Sequence, residues 1–230
     1  MRLQKFLSAA GVCSRREGET YILKGRVSIN NTIITELGTK VDPETDRVAV
    51  DDVPVTIRKD LIYIALNKPC GYVTTCRRGD DKIVLDLVDI PDRIYPVGRL
   101  DKDSSGLLLL TNDGRIHHYL SHPSFDHEKE YEVTVDKPIS TGALLKMEKG
   151  ISLMGKKTRP SVIRRLAGKR FRMTLMEGRN RQVRRMVQKV GNTVLRLHRI
   201  RISNIKIGHL TSGSWRHLKK TEKEELLKNL

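Results

Sequence analysis

Residues 98–114 read GRLDKDSSGLLLLTNDG. Four consecutive leucines, Leu107–Leu110, stand between a Ser104-Ser105-Gly106 turn and an Asn112-Asp113-Gly114 turn. An apolar run this short, bounded by turn signals, belongs to a buried strand rather than to a helix or a loop. The chain must therefore build a sheet with a covered face, and 230 residues suffice for one or two domains with a substantial core. Asp101 sits at the mouth of this strand. It is either a turn residue or an acid held on a rigid element for chemistry. Asp103 lies two residues on, so in extended chain it points away from Asp101, which weakens a paired-carboxylate glycosidase reading. Asn112-Asp113-Gly114 has the composition of a turn that caps the following GRIHHYL helix.

LIYIALNKPCGYVTT reads as a buried strand running into an Asn67-Lys68-Pro69-x-Gly71 turn. Further strand-like runs are KEYEVTV, FRMTLM and RIRISNIKI, with helix-like pieces GRIHHYLSH, TGALLKMEKG and RNRQVRRMVQKVG among them. Strands and helices that do not alternate regularly predict an α+β fold with a mainly antiparallel, mixed sheet. The tail TEKEELLKNL reads as a polar surface helix, and Trp215 as a packing residue near the last strand.

Residues 1–58 read as a separate small unit, with 59–230 as the second domain and PVTIRKD (54–60) as a polar connector. Leu3, Phe6, Leu7 and Ala10 recur at helical spacing, and Gly11 ends that helix. Ser14 and Glu17 have the S-x-x-E spacing of a capping box opening a second helix, which Gly25 stops. VSINNTII then alternates around Asn30-Asn31, a pair suited to a tight hairpin. Arg15, Arg16, Lys24 and Arg26 cluster about the second helix and the hairpin as a phosphate-contacting patch.

Charge indicates the partner class. The chain carries 44 Lys+Arg against 27 Asp+Glu, a net charge of +17. Such an excess favours a polyanion, because neutralised phosphates release condensed counterions. Residues 177–201 concentrate it: Arg179, Arg181, Arg184, Arg185, Lys189, Arg196, Arg199 and Arg201 stand against Glu177. On a helix, Arg181, Arg184, Arg185 and Lys189 fall near one face. Cys13, Cys70 and Cys76 form no CxxC pair, which argues against a disulfide framework or zinc ribbon and for a reducing cytoplasm. Neither a secretory signal nor a membrane span is apparent. His118 and His122 have metal-ligand spacing but no carboxylate or cysteine partner, so no metal site is expected.

Together, GRLDKDSSGLLLLTNDG, LNKPCGYVTT, EKEYEVTV and EGRNRQVRRMVQKVGNTVLRLHRIRI resemble, in order, the motifs of the RsuA/RluB-like RNA pseudouridine synthases. MRLQKFLSAAGVCSRREGE and LKGRVSIN resemble the small S-four-like RNA-binding domain found in a ribosomal protein. The resemblance covers essentially the whole chain. It implies isomerisation of a uridine in ribosomal RNA, naked or partly assembled, to its carbon-glycoside, with no cofactor and by a monomer. By position, Asp101 corresponds to the essential family aspartate, acting as nucleophile or as base. Arg184 corresponds to the basic residue that pairs with it, and Tyr131 to the tyrosine that stacks on the uracil and assists proton transfer. Arg99 corresponds to a residue holding a phosphate or the space left by the flipped base, and Leu197 to an apolar wall. Arg181, Arg185, Arg15 and Arg16 are expected to grip the backbone. The sequence GRNRQVRR, in place of the GRYHQVKR type, leans toward members that modify the large subunit. The rival reading is a non-catalytic ribosome-assembly factor that retains the fold and binds ribosomal RNA.

Overall fold

A computed structural model describes residues 1–121 and 127–228, without the side chains of His118 and Ser121. The expected metal-spacing pair therefore lies outside the described side chains. Two compact units are present: Met1–Ile62 with Ile90–Ile94 and Asn112–Gly114, and Tyr63–Asp89 with Tyr95–Thr111 and Arg115–Leu230. The division after Ile62 lies a few residues beyond 58, and two short segments of later sequence join the first unit.

In the first unit, α1 (Leu3–Ala9) ends at Gly11, whose φ of +79° is left-handed. Helix α2 (Arg15–Leu23) opens on the capping box: Glu17 N donates to Ser14 Oγ at 3.2 Å, and Ser14 N donates to Glu17 Oε2 at 2.8 Å. Strands β1 (Val27–Ile29) and β2 (Thr32–Ile34) meet at Asn30 and Asn31, at φ +50° and +68°, as a primed hairpin turn requires. A second such turn, Asp51-Asp52, folds β4 (Val53–Val55) back on β3 (Val48–Val50). The polar connector is therefore shorter than expected, since Pro54 and Val55 belong to a strand. The sheet order is β2-β1-β3-β4, and Leu3, Phe6, Leu7, Ile22, Val27 and Val48 form its core. Burying each such side chain contributes about 1.5–3 kcal/mol.

The second unit runs β5 (Tyr63–Lys68), β6 (Tyr95–Val97), β7 (Ser105–Thr111), α3 (Gly114–Ser121), β8 (Lys129–Val135) and α4 (Thr141–Glu148). It continues with β9 (Ser152–Leu153), β10 (Lys156–Lys157), β11 (Val162–Ala167), β12 (Arg170–Leu175) and α5 (Gln182–Lys189). Strands β13 (Val194–Ile202), β14 (Ile205–Lys206) and β15 (Trp215–His217), then α6 (Lys220–Leu227), complete it. The main sheet has the order β11-β12-β8-β13-β7-β5-β15, with β14 on β13 and β6 on β7. Its described neighbours are antiparallel except β13 and β7, which makes the unit the α+β mixed-sheet fold expected. Leucines 107–110 are all buried, at its centre.

Two expectations change. Helix α6 is not wholly a surface element: Leu226 is buried among Tyr63, Ile116 and Leu120, so one stripe of the polar tail docks. Strand β11 gave no signal in VIRRLA because almost all of its side chains are exposed, leaving no apolar alternation to read.

Candidate active site

Asp101 is fixed from below by its own backbone. Lys68, the last residue of β5, is fully buried, and its ammonium donates to the carbonyls of Pro69 (2.9 Å), Asp101 (3.1 Å) and Ser104 (2.8 Å). Burial pushes the Lys68 pKa down, while nearby Asp101 and Asp103 push it back up. Thr74 adds a second tie: its hydroxyl donates to Leu100 O at 2.7 Å and accepts from Leu100 N at 3.2 Å. Gly71 N donates to Lys102 O at 2.7 Å. The segment LNKPCGYVTT thus holds the aspartate loop in place, a role that residue types alone did not reveal for Lys68 and Thr74.

Gly106 sets the loop against β13. At φ +109°, a Cβ there would lie 2.2 Å from Arg199 O and 2.5 Å from Arg199 N. Only glycine permits that approach, where β7 and β13 pair in parallel. Tyr131 on β8 stands opposite Arg199 on β13, and Leu197 lies two residues before Arg199. Tyr131 and Leu197 are both buried. These residues, with Asp101, Arg181 and Lys129, line a cavity of about 540 Å³. That volume lies in the range of small-ligand pockets. Arg99 is exposed and also lines it.

The cation beside Asp101 is Arg181, not Arg184. Arg181 Nη1 lies 3.6 Å from Asp101 Oδ2, and its guanidinium grips Asp103 through bonds of 3.1 and 3.0 Å. That hydrogen-bonded pair holds the Asp103 carboxyl below its usual range. Arg184 spends its guanidinium on the chain after the aspartate, donating to Asp103 O (2.8 Å), Ser104 Oγ (3.2 Å) and Val194 O (3.2 Å). It also lies 3.3 Å from Asp103 Oδ2. The expected Arg184–Asp101 pair is therefore replaced by a backbone clamp. Asp103, read as a turn residue, is the acid both arginines share.

The expected single basic face of α5 also divides. Arg181 is the N-cap, left-handed at φ +51°, and stands outside the helical register. Arg185 instead rests on the Met154 sulfur and donates to Asn180 Oδ1 at 2.9 Å. Several other cations of residues 177–201 have partners from distant sequence. Arg179 donates to the carbonyls of Lys156 and Lys157 besides pairing with its neighbour Glu177, and Arg201 pairs with Glu128 (2.8 Å) and Glu130 (2.9 Å). Arg199 is buried and donates to Leu107 O at 2.7 Å. Lys189 and Arg196 remain exposed. In the first unit Arg15 and Arg16 are exposed, whereas Arg26 is held by Asp51 and lies over the Tyr21 ring.

Lys129, unremarked in the sequence, lines the cavity two residues before Tyr131. Burial first, then Arg199, depresses its pKa. The cavity thus offers a carboxylate with a guanidinium beside it, a buried tyrosine, an apolar leucine and a lysine. This arrangement suits a flat, polar heterocycle taken out of its stack.

Comparisons with known proteins agree with this geometry. Residues 62–189 match the family model for RNA pseudouridylate synthase, and residues 1–48 match the S4 domain. A dual-specificity RNA pseudouridine synthase, RluF, of Escherichia coli is 41% identical over 230 residues, covering 99% of this chain and 79% of that protein. Ribosomal large subunit pseudouridine synthase B of Bacillus subtilis is 40% identical over 235 residues, covering 98% of this chain and 95% of that protein. A pseudouridylate synthase crystal structure superposes with a TM-score of 0.73 at 32% identity, covering 99% of this chain and all of that one. With a family match over more than half its length and such identity along nearly all of it, the chain belongs to the RNA pseudouridylate synthases and is an RNA uridine isomerase.

Proposed function

We propose that this enzyme converts a specific uridine of large-subunit ribosomal RNA to pseudouridine, with Asp101 as the catalytic residue. The observation that carries this is the Asp101 carboxylate on an immobilised loop, lining the cavity with Tyr131 and Leu197 and 3.6 Å from Arg181. The Bacillus relative, named for the large ribosomal subunit, supports that RNA as the substrate. The Escherichia and Bacillus relatives are both named pseudouridine synthases, which favours catalysis over the assembly-factor alternative.

The reaction breaks the bond from ribose C1′ to uracil N1, turns the base, and joins C1′ to C5. The C5 proton is lost and N1 gains one, so atoms and electrons balance within the nucleotide, and no cofactor is called for. Extracting the base from its stack costs a few kcal/mol. Arg99 at the rim and the exposed Arg15 and Arg16 would offset this by holding phosphates. Asp101 attacks the sugar or removes a proton as a carboxylate, with the Arg181 guanidinium 3.6 Å away beside it. Leu197 packs the base, and Tyr131 stacks on it and moves the proton between C5 and solvent. Arg184 acts through the loop, fixing the backbone of Asp103 and Ser104. The proposed working form is a monomer acting on naked or partly assembled RNA in the cytoplasm.

Pseudouridine mapping on unmodified ribosomal RNAs tests the proposal. Wild type should create one new site, and Asp101→Asn none, with RNA affinity retained. If affinity and its salt dependence collapse together with turnover in Asp101→Asn, the residue is structural and the assignment is wrong.

A further inference from the structure

The β9–β10 hairpin contradicts its own turn chemistry. Leu153 pairs with Lys156, so the chain reverses through Met154 and Gly155 at φ +52° and +78°. Such a two-residue turn wants asparagine or glycine at its first position. A methionine there is strained. It is also 84% exposed, while the preceding Leu153 is buried. Arg185 rests on the Met154 sulfur, yet the methionine side chain stays largely open to solvent, an apolar surface left for a partner to cover.

What surrounds it identifies the cover. Between Glu148 and Glu177 the sequence holds nine lysines and arginines and no acid. Lys156 and Lys157 are exposed on the hairpin, and Lys189 borders the hollow that Leu153, Met154, Arg185 and Gln188 line. The hairpin is tied to the cavity's own wall. Arg179, which lines the cavity, donates to Lys156 O at 3.0 Å and Lys157 O at 2.7 Å. An apolar wedge rimmed by cations fits a polyanion with apolar faces, which is RNA.

We infer that the β9–β10 hairpin is a second RNA-contact element: Met154 packs on the face of an unstacked base outside the pocket, and Lys156, Lys157 and Lys189 hold the adjoining phosphates. The inference rests on the reading of this cavity as a uridine-isomerising site and names how the flanking RNA is gripped.

Met154→Asn tests it without endangering the fold, because asparagine is the residue the turn prefers. Its thermal midpoint should equal or exceed wild type. Its kcat/KM on ribosomal RNA should fall about tenfold, as for loss of one base-stacking contact, with the saturated single-turnover rate unchanged. The Lys156→Gln/Lys157→Gln double variant should reduce the salt slope of binding by about 1–2. Wild-type kcat/KM in Met154→Asn, or an unchanged salt slope in the double variant, overturns the inference. So does an effect seen on ribosomal particles but absent on naked RNA, which would assign the hairpin to a protein. Failure of wild type to form pseudouridine at all would instead overturn the proposed function, so the two failures are distinguishable.

Discussion

Two turns of the second unit, the Asp101 loop and the β9–β10 hairpin, both take a grip from the segment 177–185, yet they are held in opposite ways. The loop is held from inside by the buried ammonium of Lys68 on three carbonyls and by Thr74 on both polar groups of Leu100. The hairpin is held from outside, by Arg179 on two of its carbonyls, and presents Met154, Lys156 and Lys157 to solvent. A reacting carboxylate must keep its place to within about half an ångström, which demands an over-determined backbone. An element that grips RNA must leave its donors unspent. The same chemistry, cation on carbonyl, serves rigidity where it is buried and availability where it is not.

The sharpest way to break the comparison is to make one substitution at a glycine in each turn. In the loop, Gly106→Ala forces a Cβ to within 2.5 Å of two Arg199 backbone atoms, and nothing flexible can yield. The β7–β13 pairing must open, costing about 4 kcal/mol or more, and thermal unfolding should show a large drop with turnover lost. A stable, active Gly106→Ala would mean that the close pairing does not position Asp101.

Next in size is Lys68→Met. It removes a buried charge but leaves the carbonyls of Pro69, Asp101 and Ser104 without their donor, for a net loss of about 3 kcal/mol. The saturated single-turnover rate should fall about a hundredfold, because small displacements of a reacting group are that costly. RNA affinity, measured separately, should stay near wild type. Equal losses in affinity and rate would show that the Asp101 loop also carries RNA binding.

How much of this was legible in the sequence follows from how local each signal is. The Ser14–Glu17 box, the Asn30-Asn31 turn and the Leu107–Leu110 strand depend on near neighbours, and each appears in the structure where its residues place it. The position of Asp101 at the head of a buried strand was equally plain. Its cation was not. Helical spacing groups Arg181 with Arg184, but the left-handed N-cap takes Arg181 out of register and puts it beside the carboxylates. Lys68 read as part of a turn, because the carbonyls that enclose it come mainly from 33 and 36 residues away. The arginines of 177–201 read as RNA surface or solvated helix face for the same reason: Glu128 and Glu130 arrive only when β8 pairs with β13. The β9–β10 hairpin escaped notice because Met-Gly is not a turn signal.

The smallest effect should come from the hairpin's own glycine. Gly155 sits at φ +78°, but no atom outside its neighbours lies within 4 Å of where a Cβ would go. Gly155→Ala therefore meets no clash and carries only the left-handed penalty of an L-residue, about 1 kcal/mol. The thermal midpoint should fall by only about 2–4 °C. Because the hairpin touches the cavity wall through Arg179 alone among the contacts described above, the rate on bound RNA should be unchanged and only kcat/KM should decline. If Gly155→Ala lowers the bound-state rate as Lys68→Met does, the two turns move as one mechanical unit. The division between a turn built for rigidity and one built for contact would then be wrong.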